Sequence, residues 1–181
     1  METRYRTDLT GCTGSADFIA GLHGHRRRRM RANLRRALEL GATTTVRVPG
    51  TPGADVAAAV ELCRATTARH GTPGYYPGDF GEFVELAGEL VQVTQVRIGG
   101  RPVTAAISLV DRSRYHMWAG GVDYDVVPPA GSGFELMLDA VLDAAAGRGG
   151  LRVLEAGRGN GSVKQRYRLE PVPLFAFVTA C

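Results

Sequence analysis

Phe134, Met137, Leu138, Val141, Leu142 and Ala145 recur at three- and four-residue spacing. This apolar stripe predicts the clearest helix of the chain, over 133–147. A second stripe, Met30, Leu34, Ala37 and Leu38, predicts a helix from His25 to Leu40 that Gly41 stops. Arg28, Arg31, Arg35 and Arg36 fall roughly opposite that stripe. Val56, Ala59, Val60 and Cys63 place a third helix over about 54–69, ended by Gly71. Shorter helices are predicted after Ser15 as N-cap, carrying Phe18, Ile19 and Leu22, and over 79–87.

Thr43 to Val48 alternates and is β-branched, which predicts a strand. Strands over 91–98 and 103–110 flank the hairpin turn Gly99-Gly100-Arg101-Pro102. Further strands are predicted over 114–122, 152–156 and 174–178, whereas residues 1–14 are expected to be loosely held. The order predicts one α/β domain, 1–181, whose sheet is mixed and mostly antiparallel, with flanking helices. The strands at 114–122 and 152–156, joined through a helix, predict a parallel crossover. Ligands of such sheets lie beyond the carboxyl ends of the strands.

Composition narrows the classes. The chain length suits one domain with a sizeable core, and a net charge of +4 gives only a modest whole-molecule field. Cys12, Cys63 and Cys181 form no CxxC pair and no zinc set with the four histidines, so no metal is expected. Sparse, odd cysteines fit a reducing, cytoplasmic setting. No signal peptide is evident, and no apolar run approaches the ~20 residues that span a bilayer.

Among 22 lysines and arginines, Lys164 is the only lysine. It follows Glu155-Ala156-Gly157-Arg158-Gly159, on a predicted loop carried by the sheet. It reads either as a compact ammonium that a guanidinium would not replace or as an accident of composition. In the loop Pro128-Pro129-Ala130-Gly131-Ser132-Gly133, residues Gly131, Ser132 and Gly133 would turn backbone N–H groups toward an anion at a helix start; the alternative is a plain strand-to-helix turn. Arg28, Arg31, Arg35 and Arg36 read as a phosphate-contacting stripe or as a solvated face. Tyr75 and Tyr76, in a Pro/Gly loop, either stack on a substrate or plug the edge of the core. His116, on a predicted strand, is either a hydrogen-bonded sheet residue or a base. No Ser/His/Asp set and no convincing paired carboxylates are present.

The element order resembles the GNAT acyltransferase fold. Gly131 and Gly133 match the family's pyrophosphate loop, Arg/Gln-x-x-Gly-x-Gly/Ala, with Pro128 in place of its first residue. Five segments resemble the Fem-type and cellulose-biosynthesis-type branch: Arg31–Ala37, Gly99–Ala106, Trp118–Asp123, Leu151–Gly159 and Lys164-Gln165-Arg166-Tyr167. They span most of residues 25–170. Fem-type enzymes usually carry two such domains in tandem and often a helical arm for tRNA; this chain has room for one domain. Single-domain relatives of the pacidamycin type act in peptide-antibiotic assembly.

The resemblance implies an N-acyltransferase that moves an aminoacyl group from aminoacyl-tRNA to a free amine of a peptide or peptide-like small molecule, with no resident cofactor. Lys164 would stabilise developing negative charge, and Glu155 would accept a proton. Trp118, Ala119, Gly131, Ser132, Gly133, Arg158, Arg166 and Tyr167 would contact the donor. Tyr75, Tyr76, His116 and Asp123 would contact the acceptor, and Arg28, Arg31, Arg35 and Arg36 the tRNA phosphates. Acyl-CoA as donor, a non-catalytic nucleic-acid- or partner-binding role, and a homodimer that rebuilds the tandem arrangement stay open.

Overall fold

A computed structural model describes residues 2–53, 55–127 and 132–175. The alternating segments form a meander of three antiparallel strands, β3 (Val91–Ile98), β4 (Arg101–Val110) and β5 (Arg114–Val122). Before them come β1 (Glu2–Asp8) and β2 (Thr43–Arg47), and after them β6 (Val153–Glu155) and β7 (Glu170–Leu174). The seven strands make one sheet in the order β2-β3-β4-β5-β6-β1-β7. Only β5 and β6 run parallel, as the predicted crossover requires.

The helices are α1 (Ser15–Ala20), α2 (Gly24–Glu39), α3 (Val56–Arg69), α4 (Phe80–Leu86), α5 (Ser132–Arg148) and α6 (Gly161–Gln165). Neighbouring residues of the central strands feed opposite faces. Ala105, Ile107 and Ala119 pack with Val60, Cys63, Phe80 and Val84 of α3 and α4. Ala106, Tyr115 and Met117 pack with Met30, Leu138 and Val141 of α2 and α5. Helices therefore cover both faces, as a sheet with apolar residues on each side demands. Deep in the first of these layers, burial pushes the Cys63 thiol up to about 12, so it is an inert core group.

Four expectations are corrected. Residues 2–8 are a strand, held between β6 and β7. A strand lies at Glu170–Leu174, where a loop was expected, and of the strand expected over 174–178 residues 176–178 fall outside the described residues. Ser15 is the first helical residue of α1, with Gly14 at the N-cap position. Leu38 is exposed, because Ala37 takes the inward position at that turn.

Two features position the site. The β5–β6 ladder is short: Arg114, Tyr115 and His116 pair with Val153, Leu154 and Glu155, and the pairing ends there. β5 continues to Val122 along β4 alone, so the sheet opens beyond His116. Ile107 faces Ala119 while Ser108 faces Met117, which leaves Trp118 as an extra residue, a β-bulge at that opening. Farther along, α3 crosses β5 in backbone contact. A Cβ on Gly121 would come within 2.6 Å of the Cys63 amide nitrogen. The Val122 amide donates to the Thr66 hydroxyl of α3 at 2.8 Å, so a helix side chain serves a strand group where β6 is absent.

The edge strand β7 carries Pro171 and Pro173, which face Tyr5 and Thr3 of β1. Proline has no N–H to give a ladder, which suits an outer edge.

Candidate active site

Beyond Glu155 the chain must turn back tightly. Gly157 and Gly159 take positive φ (63° and 75°), and Asn160 is left-handed at φ 50°. These are conformations that favour Gly and Asn. The turn launches α6, a short helix where a loop was expected, with Lys164 near its end. Gly161 presses on Tyr5 of β1, since a Cβ there would lie 2.5 Å from the ring Cζ.

Lys164 is therefore buried rather than exposed. Its ammonium donates to the carbonyls of Arg158 at 2.8 Å and Gly157 at 3.3 Å, and lies 5.5 Å from the centre of the Tyr5 ring. No carboxylate shares those contacts. Burial lowers its pKa from 10.5 to about 8, because the charged form has lost water without gaining a counter-ion.

His116 stands at the end of the β5–β6 ladder, and a Cβ on Gly157 would lie 3.9 Å from its Nε2. Burial lowers the His116 pKa, Glu155 opposes that, and the charges of Arg4 and Lys164 add to it. The ring is thus held neutral around pH 7. Glu155 is buried, with Arg4 at 3.2 Å, Arg114 at 3.5 Å and His116 Nδ1 at 4.0 Å. Its carboxylate is committed to the two arginines and faces the neutral imidazole.

An aromatic run approaches the same opening. Tyr75 meets Tyr76 edge-on at 4.9 Å, Tyr76 stacks on Phe80 at 4.5 Å, and Phe80 and Phe83 meet Trp118 at 5.1 and 5.5 Å. Tyr75, Phe83 and Trp118 are exposed, whereas Tyr76 is half-buried. Asp123 is buried and engaged, with Arg101 at 2.5 Å and the Asp125 amide at 3.1 Å. Ala119 and Tyr167 are buried in the core, so their side chains meet other side chains rather than solvent. Arg158 and Arg166 are exposed beside Lys164 in the chain.

On the opposite face, Arg28, Arg31, Arg35 and Arg36 of α2 are exposed, as the stripe predicted. A cavity of about 250 Å³ lies beside them, not at Lys164. Arg29, Asn33 and Arg36 of α2 and Ser132 at the start of α5 supply its polar lining, and Leu40, Ile98, Val127 and Leu136 much of its apolar lining. Gly133 is packed against Val122, where a Cβ would lie 3.2 Å from Cγ2. Gly131 falls outside the described residues, as do Pro128, Pro129 and Ala130. Beneath the cavity Glu135 is fully buried, taking hydrogen bonds from Asn33 and the Tyr167 hydroxyl, with Arg29 at 3.6 Å.

Arg4, Tyr5 and Glu135 were not among the residues singled out from sequence, and Asn33 entered only as part of the Arg31–Ala37 segment. A signal existed for the first two, because Tyr5, Thr7 and Leu9 alternate with Arg4, Arg6 and Asp8. Among the described residues no group of His, Cys, Asp and Glu is placed to hold a metal ion, and no helix is long and apolar enough to cross a membrane.

Residues 24–168 match a family model described as Acetyltransferase (GNAT) domain. No curated protein matches the sequence. Solved structures share the fold at low identity. L-PGS from Bacillus licheniformis is 13% identical with a TM-score of 0.61, over 94% of this chain and 57% of that one. FemX is 9% identical with a TM-score of 0.63, over 94% and 60%. The C-terminal domain of a candidate lysylphosphatidylglycerol synthetase from Agrobacterium fabrum is 12% identical with a TM-score of 0.63, over 94% and 57%. The chain thus spans under two thirds of the length of each.

Proposed function

Because the chain belongs to the acetyltransferase (GNAT) domain family, we propose that it is an aminoacyltransferase, which moves an aminoacyl group from aminoacyl-tRNA to the free amine of a peptide or peptide-like small molecule in secondary-metabolite assembly. The observation that carries this reading is the course of α2. Its four exposed arginines, Arg28 to Arg36, lie along a 16-residue helix and span about 12 Å of its rise, and Arg36 also lines the cavity at the start of α5. A basic track of that length suits a phosphate backbone; an acyl-CoA needs contact only at one end of it. The Fem-type motifs around Lys164 point to the same donor.

In the reaction the acceptor amine attacks the ester carbonyl. A C–N bond forms, negative charge develops on the carbonyl oxygen, and the bond to the tRNA 3′-oxygen breaks. The Lys164 ammonium stabilises the oxyanion or the departing 3′-oxygenate. Neutral His116, rather than the ion-paired Glu155, takes the proton from the attacking amine and returns it to the departing 3′-oxygen. The acceptor approaches along Tyr75, Phe83 and Trp118.

The direct test incubates the protein with charged tRNAs and candidate amines and reads amide products by mass spectrometry. Product that disappears with RNase supports the reading. Product from acyl-CoA alone assigns the carrier to CoA, and no product from either leaves a binding module. In an active assay, Arg31→Glu with Arg35→Glu should weaken turnover and flatten its salt dependence by roughly two phosphate contacts, a change of ~1.8 in the log–log slope for duplex-like binding. An unchanged slope returns α2 to a solvated face.

The pH profile follows from the two pKa directions. His116 must be neutral, so activity rises as pH climbs through a value below its usual 6.5. Lys164 must be protonated, so activity falls above about 8. With an acceptor whose amine is already neutral at pH 7, a kcat/KM profile still rising at pH 9 would remove Lys164 from its charged role.

A further inference from the structure

We propose that Glu135 is a positioning residue, tying the basic helix α2 to the turn that carries Lys164. This rests on the catalytic reading of Lys164, but the link itself is open to measurement without turnover. Glu135 has no solvent exposure, and its two oxygens are divided between elements. Asn33 of α2 donates to one oxygen, while the Tyr167 hydroxyl donates to the other and Arg29 lies 3.6 Å from it. Arg29 and Asn33 are one helical turn apart and both line the cavity. Tyr167 donates its own amide to the Lys164 carbonyl at 2.9 Å, and Leu169 donates to the same carbonyl at 3.2 Å. One carboxylate therefore joins the cavity wall to the backbone of the lysine.

Stability alone does not call for this arrangement. Position 135 lies in a helix whose buried residues are otherwise apolar or glycine. Replacing a buried ion pair or triad with apolar residues is often neutral or stabilising. An acid in the first turn would satisfy the helix dipole from the surface equally well. What a buried carboxylate with three directional partners adds is fixed geometry, and Lys164 needs it. Its ammonium is held by the two carbonyls of the β6–α6 turn and lies against the Tyr5 ring of β1, and its charge is felt by His116 of β5.

Lys164 is the only lysine, so a trace amine-acylating reagent reports on it in a single peptide, read by mass spectrometry against an added reference amine. The pH midpoint of labelling reports its surroundings, and the plateau at high pH its accessibility. The wild-type midpoint should lie near 8. In Glu135→Gln and in Tyr167→Phe the turn should loosen, the plateau should rise several-fold, and the midpoint should move up by about one unit as water returns. Val84→Ala, a core truncation on the other face of the sheet, should leave both unchanged. If Glu135→Gln does not fold, Tyr167→Phe decides, since it removes one hydroxyl. In turnover, kcat should fall roughly 10–100-fold with acceptor KM unchanged, the size of effect that misplacement from a distance produces. Wild-type labelling in folded Tyr167→Phe, or an equal change in Val84→Ala, overturns the proposal whatever the catalytic result. An active Lys164→Met enzyme would overturn the catalytic reading while leaving the labelling result to stand.

Discussion

A Lys164→Met enzyme is expected to lose about 10²–10³-fold in kcat, the size of losing one oxyanion-type donor. Acceptor KM should change much less, because the ammonium interacts mainly with charge that exists in the transition state. Stability should move the other way or not at all. The unfolded lysine holds its proton up to about 10.5, the folded one only to about 8. Below pH 8 the folded chain therefore carries a penalty for a buried ammonium, and the penalty lifts as pH rises through that window. Methionine has no such penalty, although it leaves the Gly157 and Arg158 carbonyls without their donor. Melting temperature at pH 7 is expected to hold or rise while turnover collapses, and Lys164→Arg should restore only part of the rate. Near-normal kcat in Lys164→Met would end the catalytic assignment.

Gly121→Ala is expected to cost about 3 kcal/mol, the upper end of overpacking, without touching a candidate reacting group. The added methyl meets the backbone of α3 at Cys63, and a helix backbone cannot rotate out of the way as a side chain can. Moving α3 also strains the Thr66 bonds to Val122. Chemical denaturation would show the loss as a lower midpoint at unchanged slope. Gly99→Ala is the contrast: nothing lies within 4 Å of its Cβ position, so its cost is confined to the positive φ of 58°. Equal losses in the two would contradict the close approach of α3 to β5.

The central fold was legible because its signals are local. Period-2 runs gave the meander at 91–122 and the stripe at 134–145 gave α5, with ends within a residue or two. The misses share one cause. The Glu2–Asp8 strand pairs with residues some 150 positions away, and its alternation is short and mostly charged. The α6 turn is helical only because Tyr5 and the Gly157–Asn160 turn hold it. Lys164 drew notice through composition, but its burial depends on that same turn. Glu135 was invisible because an acid beside an apolar stripe ordinarily reads as solvent-facing; only the meeting of α2 and Tyr167 turns it inward.

The two rims of the sheet are chemically unequal. On β7 the residues that could offer donors outward are Pro171 and Pro173, so that rim rejects another strand. On β2 the corresponding rim is Thr43–Arg47, with no proline among its residues. A sheet that can be extended on one side only cannot propagate into a fibre. Among the described strands, association through β2 closes on itself about a two-fold axis and stops at two copies, because β7 offers no second rim.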